Sequence, residues 1–540
     1  MSTHDVTNQP PPRVDVDEFA ADIPLLEGVE RYDSGWAVPE LGRVGRLVGS
    51  AEFQQDAERA SVHEPELRAF DRWGNRIDEV EYDPSYHRIL GEAVAAGAHT
   101  SAWAEPRPGA NVARAATFML FAQIEPGHAC PISMTHAAVP ALAASPELSA
   151  EWLPRLLSRE YDGRLRADKT SALVGMAMTE KQGGSDVRAN TTRAIASSEG
   201  RHLLTGHKWF CSAPMSDAFL VLAQTARGLS CFVVPRMLED GTRNVFALQR
   251  LKDKLGNRSN ASSEVEFDDT VGYLLGEEGR GVRTILEMVD RTRLDCILGS
   301  AAGMRQSVAE AAWHVRHRAA FGSRLIDQPA MTGVIADLAL ESEAATAVSL
   351  RLARAHDDDA PDADRAFRRL ATAVSKYWVC KRGPGHAYEA LECLGGNGYT
   401  EAFPLARRYR EQPVMAIWEG SGNVIALDVL RAISREPASA EAFDLELSAS
   451  RGIHPLFDEH HDRMRARLQE AAGLDEADAA SRVRSLVAGL AVALQAALLL
   501  RTAPEAVGRG FVEARLGPSR GSLYGELPRG LDLAGIVARA

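Results

Sequence analysis

At roughly 150 residues per domain, a chain of 540 residues points to three or four domains. Hydrophobic residues make up 45% and charged residues 25%, the balance of a folded globular chain, which excludes a disordered protein or a small disulfide scaffold. Lys plus Arg number 61 against 74 Asp plus Glu, a net charge of −13, so a wholesale nucleic-acid coat or membrane-surface binder is disfavoured and only local basic patches remain open. The six cysteines (Cys130, Cys211, Cys231, Cys296, Cys380, Cys393) are scattered with no C-x-x-C pair, which reads as reduced, mostly buried thiols. The N-terminal MSTHDVTNQPPPR has neither an apolar signal core nor an Arg-rich presequence, so the expected location is the cytoplasm.

In chain order, residues 1–45 are polar and acidic with Pro10-Pro11-Pro12, and read as an extended arm. Residues 46–170 are helical in pattern; Val112–Ile124 places Ala116, Met119, Leu120 and Gln123 near one face before Pro126-Gly127 stops the helix. The period changes in 171–275. Ala218–Ala226 and Leu229–Met237 are short β-forming runs with Arg227-Gly228 between them as a hairpin turn. Further strands are expected at Leu203–Cys211 and Ser263–Phe267, the spacing of a small sheet or barrel rather than of βαβ units. Residues 276–440 return to helix, with Met331, Ile335, Leu338, Ala345, Val348 and Leu352 forming a buried stripe. Residues 441–540 hold more amphipathic helix and read as an appended fourth unit. The apolar run Leu486–Leu500, about 15 residues with Gln495 inside and Arg484 and Arg501 flanking it, is short for a membrane span and fits a buried helix, so no membrane is expected as a partner.

The usual signatures are missing: there is no G-x-G-x-x-G, P-loop, H-E-x-x-H or nucleophile elbow. His460-His461 beside Asp458 and Glu459 reads as a solvated charged surface rather than a metal site, because adjacent side chains diverge on a helix. Four segments carry more. MTEKQGGSD (Met178–Asp186) is either an ordinary turn or a loop whose glycines allow close backbone approach and whose Thr179 and Ser185 hydroxyls donate to phosphate or ring heteroatoms. GHKWFCS (Gly206–Ser212) is an aromatic pair running into a hydroxyl on a strand. RAAFG (Arg318–Gly322), with Gln328 following, is expected on a helix. LGGNGY (Leu394–Tyr399) is followed some twenty residues later by IWEGSGN (Ile417–Asn423), where Glu419 adjoins a glycine-rich turn.

Taken together, these segments resemble the acyl-CoA dehydrogenase family of flavoproteins. MTEKQGGSD is similar to that family's T-E-x-x-x-G-S-D loop, GHKWFCS to its G-x-K-x-W-[IV]-[TS] strand, RAAFG with Gln328 to R-x-x-F-G…Q, LGGNGY to the G-G-x-G-[YF] turn and IWEGSGN to I-Y-E-G-T, all in the family's order. The NQPPP arm, LKDKLGNRSNASSEVEF and the extra C-terminal hundred residues resemble the AidB-like subgroup, linked to the bacterial response to DNA-alkylating agents. The resemblance implies a helical N-terminal domain, a middle β-barrel-like domain and a C-terminal four-helix bundle, here with an extra C-terminal helical unit. It also implies FAD, a homotetramer and an acyl-CoA substrate. Met178, Thr179, Gly184 and Ser185 would line the flavin and pyrophosphate, Phe210 and Ser212 would flank the ring, and Trp418, Ser421 and Asn423 would lie on the cofactor side of the base. Arg318, Phe321, Gln328, Gly395 and Gly396 would contact FAD held mainly by another subunit. Glu419 stands at the position of the family's catalytic base, and Arg293 in DRTR matches a family arginine at the back of the substrate region. Lys181-Gln182, Phe210, Trp418 and Glu392 depart from the family pattern.

The subgroup also implies duplex DNA as a partner. From residue 441 onward there are 12 Arg, no Lys and 14 Asp plus Glu, a net of −2. Arg463 and Arg467, one turn apart with Arg465 between them, form the best local patch, with Arg482 and Arg484 as an extension. On an acidic chain this predicts weak, salt-sensitive binding. No metal site is expected.

Overall fold

The computed structural model describes residues 3–519 and 521–540. Helices α1 (Ile23–Arg31), α2 (Val38–Gly49) and α3 (Ala51–Val62) open the chain, and a hairpin of β1 (Glu66–Phe70) and β2 (Arg76–Glu81) follows. Helices α4 (Pro84–Ala95), α5 (Ser101–Ala104), α6 (Ala110–Ala122), α7 (Ala129–Leu142) and α8 (Pro146–Leu156) lead to the strands β3 (Val174–Ala177), β4 (Arg193–Ala196), β5 (Arg201–Ser212), β6 (Ala218–Thr225), β7 (Gly228–Pro235), β8 (Ala247–Leu251) and β9 (Ser262–Leu275). Next come α9 (Gly281–Thr284) and α10 (Leu286–His317), the two-residue strands β10 (Ala319–Ala320) and β11 (Ser323–Arg324), then α11 (Pro329–Arg354) and α12 (Asp362–Glu392). The remainder is α13 (Pro404–Met415), α14 (Gly422–Arg435), α15 (Pro437–Ser448), α16 (Pro455–Ala472), α17 (Glu476–Thr502), α18 (Glu505–Leu516) and α19 (Leu533–Val537).

By contact the chain divides into two compact units. One gathers Glu52–Pro106 and Glu125–Asp295; the other gathers Met1–Ala51, Arg107–Ile124 and Cys296–Ala540. In the first unit, β6 pairs with β4 on one side and β7 on the other, and the path β6–β4–β5–β9–β7 returns to β6. The seven-stranded sheet is therefore closed and barrel-like, as its strand spacing suggested. Because both faces of β6 are covered, Ala218–Ala223 is a continuous buried run rather than an alternating one. Phe219 stacks on Phe246 at 4.8 Å inside, while Leu220, Leu222 and Val233 face Leu142, Trp152 and Leu156 of α7 and α8. Each such apolar side chain contributes about 1.5–3 kcal/mol by leaving water. The turn at Arg227-Gly228 is the expected hairpin: Thr225 pairs with Gly228, whose φ of +114° suits a residue without Cβ.

The second unit is helical. Most of α11 beyond Ile335 is buried, and its carboxylates are paired: Glu341 meets Arg382 of α12 at 2.9 Å and Arg515 of α18 at 3.0 Å, and Asp337 meets Arg515 at 2.6 Å. Three readings are corrected here. Residues 1–45 are not an extended arm: α1 and α2 form within them, burying Phe19, Leu25, Val29 and Leu41, and Arg13 is buried against Glu18. Residues 441–540 are not an appended unit, because α17 packs on α11, α12 and α14 within the same compact body, and Glu446 is bonded to Arg351 at 2.8 Å. His460 and His461 are not solvated. His460 Nε2 bonds the Gly489 carbonyl (2.9 Å) and His461 Nε2 bonds Asp444 (2.8 Å), so both serve the packing of α16. The helix α17 is long and apolar enough to cross a membrane by length and composition, and 67% of its most apolar window is buried in the protein.

Candidate functional site

In the β-containing unit, Met178–Asp186 is the connection between β3 and β4, and its shape is set by a buried ion pair. Glu180 and Lys208 are wholly buried and meet at 2.8 Å; Lys208 also donates to the Leu222 carbonyl at 2.7 Å. Glu180 further accepts from the N–H groups of Thr191 (2.7 Å) and Thr192 (3.1 Å) and from the Gln182 amide (2.7 Å). Burial alone would raise the Glu180 carboxyl, but Lys208 and these donors outweigh it and hold the group well below the usual carboxylate range. Burial pulls Lys208 down, partly offset by Glu180.

The loop is tied to β5 by Trp209 N–H donating to the Thr179 carbonyl (2.9 Å), and to its own far end by the Asn190 amide donating to the Met178 carbonyl (2.8 Å). Met178, Thr179 and Gly184 are thus brought beside the strand that carries Phe210 and Ser212. A Cβ on Gly184 would lie 2.6 Å from Thr179 Oγ1, so glycine is required there, whereas nothing faces Gly183, whose φ is +152°. Strict alternation forbids Trp209 and Phe210 from both leaving the core. The pairing of β5 with β9 shifts register between Lys208 and Cys211, and this bulge leaves Phe210 half exposed, at 50%. Ser212 Oγ sits 2.9 Å from Ser262 Oγ. Ser185 is exposed on the loop, and Arg293 is half-buried near the start of α10.

In the helical unit, RAAFG is not helical, contrary to expectation. Arg318 directly follows α10, and β10 and β11 form a tight hairpin around Phe321, at φ +53°, and Gly322, at φ +82°. Phe321 is 99% exposed. Gln328, at the N-cap of α11, returns to donate to the Ala320 carbonyl at 3.0 Å. The amino-terminal segment grips this hairpin. Asn8 bonds both the N–H and the carbonyl of Ala319 at 2.8 Å, Arg318 donates to the Asn8 carbonyl, and the Asn397 amide reaches Gln9 at 3.5 Å. Asn8 and Gln9 therefore join RAAFG to the short 3₁₀ turn Gly395–Tyr399 that carries Gly395 and Gly396, and nothing local in the sequence signals this.

Trp418, Glu419, Ser421 and Asn423 share the turn between α13 and α14. Glu419 is half-buried at φ +56° and Gly420 follows at φ +110°. A left-handed, non-glycine residue costs on the order of 1–2 kcal/mol and persists only where its surroundings impose it. Here the imposing group is Lys376 of α12, 1% exposed, whose Nζ donates to the Gly420 carbonyl at 2.6 Å. Trp418 packs on Cys296, Cys380 and Met415. Arg463 and Arg467 lie elsewhere, on α16. Arg463 is exposed, but Arg467 bonds Ser485 Oγ at 2.6 Å, Arg465 pairs with Asp444 and Arg482 with Glu470. Arg484 does not extend that patch; it bonds the Tyr377 hydroxyl and Asn423. No group of three or more His, Cys, Asp or Glu suited to a metal exists among the described residues.

Three family models match in succession: the adaptive response protein AidB N-terminal domain over residues 8–163, the acyl-CoA dehydrogenase middle domain over 175–270 and the acyl-CoA dehydrogenase C-terminal domain over 279–434. The chain belongs to the acyl-CoA dehydrogenase family, whose cofactor is FAD. Within it, the chain is similar to the AidB protein of Escherichia coli (strain K12), 47% identical over 474 residues that cover 87% of this chain and 88% of that protein. It is also similar to acyl-CoA dehydrogenase family member 11 of Caenorhabditis elegans, 29% identical over 73% of this chain and 66% of that one. A solved structure of Caenorhabditis elegans ACDH-11 in complex with C11-CoA shares the fold, with a TM-score of 0.85 at 24% identity over 95% of this chain and 93% of that one. The donor set fits FAD. Hydroxyls at Thr179, Ser185 and Ser212 and bare glycine backbone suit the polar edges and phosphates, and the exposed Phe210 suits a planar ring.

Proposed function

We propose that the protein is an FAD-dependent oxidoreductase of the acyl-CoA dehydrogenase type, with Glu419 as the base that removes the α-proton of an acyl-CoA thioester. The observation that carries this is the turn at Glu419: a half-buried glutamate whose backbone takes a positive φ, between an aromatic side chain and a glycine whose carbonyl is held by a buried lysine. FAD, when bound, supplies the acceptor for the hydride that leaves the β-carbon. Everything else falls to the chain. The Glu419 carboxylate receives the α-proton, and it becomes basic enough once ligand binding excludes water from it. Thr179, Ser185 and Ser212 orient the cofactor through their hydroxyls, and Phe210 covers the ring. Arg318 offers the rest of its guanidinium fork to the pyrophosphate of FAD held mainly by a neighbouring subunit, together with Phe321, Gln328, Gly395 and Gly396. Trp418, in place of the family's tyrosine, narrows the acyl site, and Arg293 lies behind the substrate. The Glu419→Gln variant should keep its flavin and its fold while acyl-CoA-dependent flavin reduction slows on the order of a hundred-fold to ten-thousand-fold. A Gln variant as fast as the parent would show that another group takes the proton.

The exposed Phe321 and Tyr399 (87% exposed) support a homotetramer in which neighbouring subunits cover them. The six buried cysteines, none of them in a disulfide among the described residues, support a reducing compartment, the cytoplasm. The match to an adaptive response protein domain supports a second, protective role with duplex DNA as partner. Since, among the described residues, only Arg463 of the Arg463/Arg465/Arg467 group is exposed without an ion pair or side-chain hydrogen bond, that contact is weak and salt-sensitive.

A further inference from the structure

The amino-terminal segment is anchored at one end and grips a hairpin at the other. Arg13 and Glu18 form a buried, bidentate pair at 2.5 and 2.7 Å, and Glu18 lies 3.5 Å from the Gln306 side-chain amide on α10. Further along the same helix the Trp313 indole N–H donates to the Pro11 carbonyl at 2.8 Å. Past the helix end, the Asn8 amide donates to the Ala319 carbonyl and its Oδ1 accepts from the Ala319 N–H, each at 2.8 Å. The Asn8 carbonyl accepts from Arg318, and Gln9 accepts from the Asn397 amide of the Gly395–Tyr399 turn at 3.5 Å. The segment therefore runs antiparallel along α10. The lengths agree: extended, proline-rich chain from Arg13 to Asn8 reaches about 15 Å, and α10 rises about 16 Å from Gln306 to His317. Pro10, Pro11 and Pro12 have a fixed φ and no N–H, so this stretch is stiff and offers the helix only carbonyls.

What the segment fixes is the direction of Arg318. Among the described residues the Arg318 side chain makes no ion pair, and its bond to the Asn8 carbonyl orients it. His314, one turn earlier, offers no counter-charge: burial, and then Arg318 itself, pull its imidazole down to about 4. Asn8 has φ +56°, a conformation that asparagine takes more readily than most residues, and in it the side chain and the carbonyl serve the same hairpin.

We propose that Asn8 is a positioning residue for the cofactor: clamped to α10 through Pro10–Pro12, it aims Arg318 and keeps the hairpin of β10 and β11 in register with the Gly395–Tyr399 turn. It touches no reacting atom and acts through Arg318. An arginine bonded through one nitrogen keeps the rest of its fork for an anion, and a direction fixed beforehand spares the ordering cost on binding. The proposal rests on the reading of the chain as a flavoprotein in which Arg318 meets the FAD pyrophosphate.

The test titrates the full-length chain, freed of flavin, with FAD in four forms: the parent, Asn8→Gly, Arg318→Ala and the double variant. Glycine keeps the positive φ and removes only the amide. Loss of the two bonds to Ala319 should weaken FAD binding about tenfold in Asn8→Gly. Because Asn8 acts through Arg318, the same change made on Arg318→Ala should cost less than about twofold, whereas a merely structural contribution would keep its full size there. Amide exchange of the flavin-free chain is the second readout. Residues 318–324 should exchange faster in Asn8→Gly than in the parent, with residues 335–352 of α11 unchanged. Three results overturn the proposal and leave the flavoprotein reading standing: parental FAD affinity in Asn8→Gly, an undiminished loss on the Arg318→Ala background, or unchanged exchange of residues 318–324. A parent that takes up no FAD removes the flavoprotein reading, and the proposal with it.

Discussion

Lys208→Met removes one partner from the most deeply buried ion pair of the β-containing unit and leaves the other behind. Glu180 keeps the Thr191 and Thr192 N–H groups and the Gln182 amide, so its oxygens are not bare, but it loses the 2.8 Å ammonium contact, and the Leu222 carbonyl loses its 2.7 Å lysine donor. Orphaning a buried charge costs about 3–5 kcal/mol, and the surviving donors place this case near the lower end, about 3 kcal/mol. At about 2–4 °C per kcal/mol for a unit of this size, the melting temperature should fall by ~6–12 °C. The exposed pair Arg43–Glu40, whose side chains are 48% and 50% accessible, is the control, because removing Arg43 should cost less than about 1 kcal/mol. The pH sign follows from Glu180. Its folded-state pKa is depressed, so the pair's stabilisation is complete above the ordinary carboxylate range and is lost as pH falls through the lower folded value. Calorimetry at neutral pH is therefore the assay. Because the pair shapes Met178–Asp186, FAD retention on gel filtration should fall in parallel. A loss below about 1 kcal/mol, equal to the surface control, would refute the reasoning.

Arg318→Ala should yield protein that loses FAD on dilution, read as the flavin-to-protein absorbance ratio, while light scattering of the parent should give a tetramer; a parent that stays colourless after incubation with FAD contradicts both. Duplex DNA should bind at low salt without sequence preference and largely release near physiological ionic strength, and Arg463→Glu/Arg467→Glu should abolish binding while FAD is kept. Tight binding at physiological salt that survives the double change would place the DNA surface elsewhere. His386 is fully buried, with Nε2 on the Leu338 carbonyl, and burial pulls it down to about 4. The unfolded chain protonates first, near 6.5, so stability should fall by about 3 kcal/mol as pH drops from 6.5 to 4, and His386→Gln should flatten that slope in denaturant titrations.

The sequence was most legible where local pattern decides structure. Gly228 between two apolar runs marks the hairpin of β6 and β7, and the stripe from Ile335 to Leu352 marks α11. The amino terminus was misread because its acidic composition hid a helical spacing in Leu25 and Val29, and in Leu41, Val44 and Val48. RAAFG was misread because Arg318 continues the pattern of α10, whereas Phe321 and Gly322 take positive φ and end it. What could not be read is long-range. His461 finds Asp444 across a turn between helices, Asn8 finds Ala319 from the far end of the chain, and Arg484 finds Asn423 across 61 positions. Each of these is a polar contact whose partner only the fold supplies. For the same reason Arg484, grouped by sequence with Arg463 and Arg467, belongs instead to the turn of Glu419.

The central claim is that this chain uses Glu419 and FAD to dehydrogenate an acyl-CoA. Anaerobic titration of the purified, FAD-loaded protein with a panel of acyl-CoAs, short to long and straight to branched, tests it most directly. The account predicts that at least one acyl-CoA bleaches the flavin absorbance in the parent and fails to do so at a comparable rate in Glu419→Gln. A parent whose flavin stays oxidised with every acyl-CoA, although each binds, would contradict it and leave the protective, DNA-associated role as the chain's function.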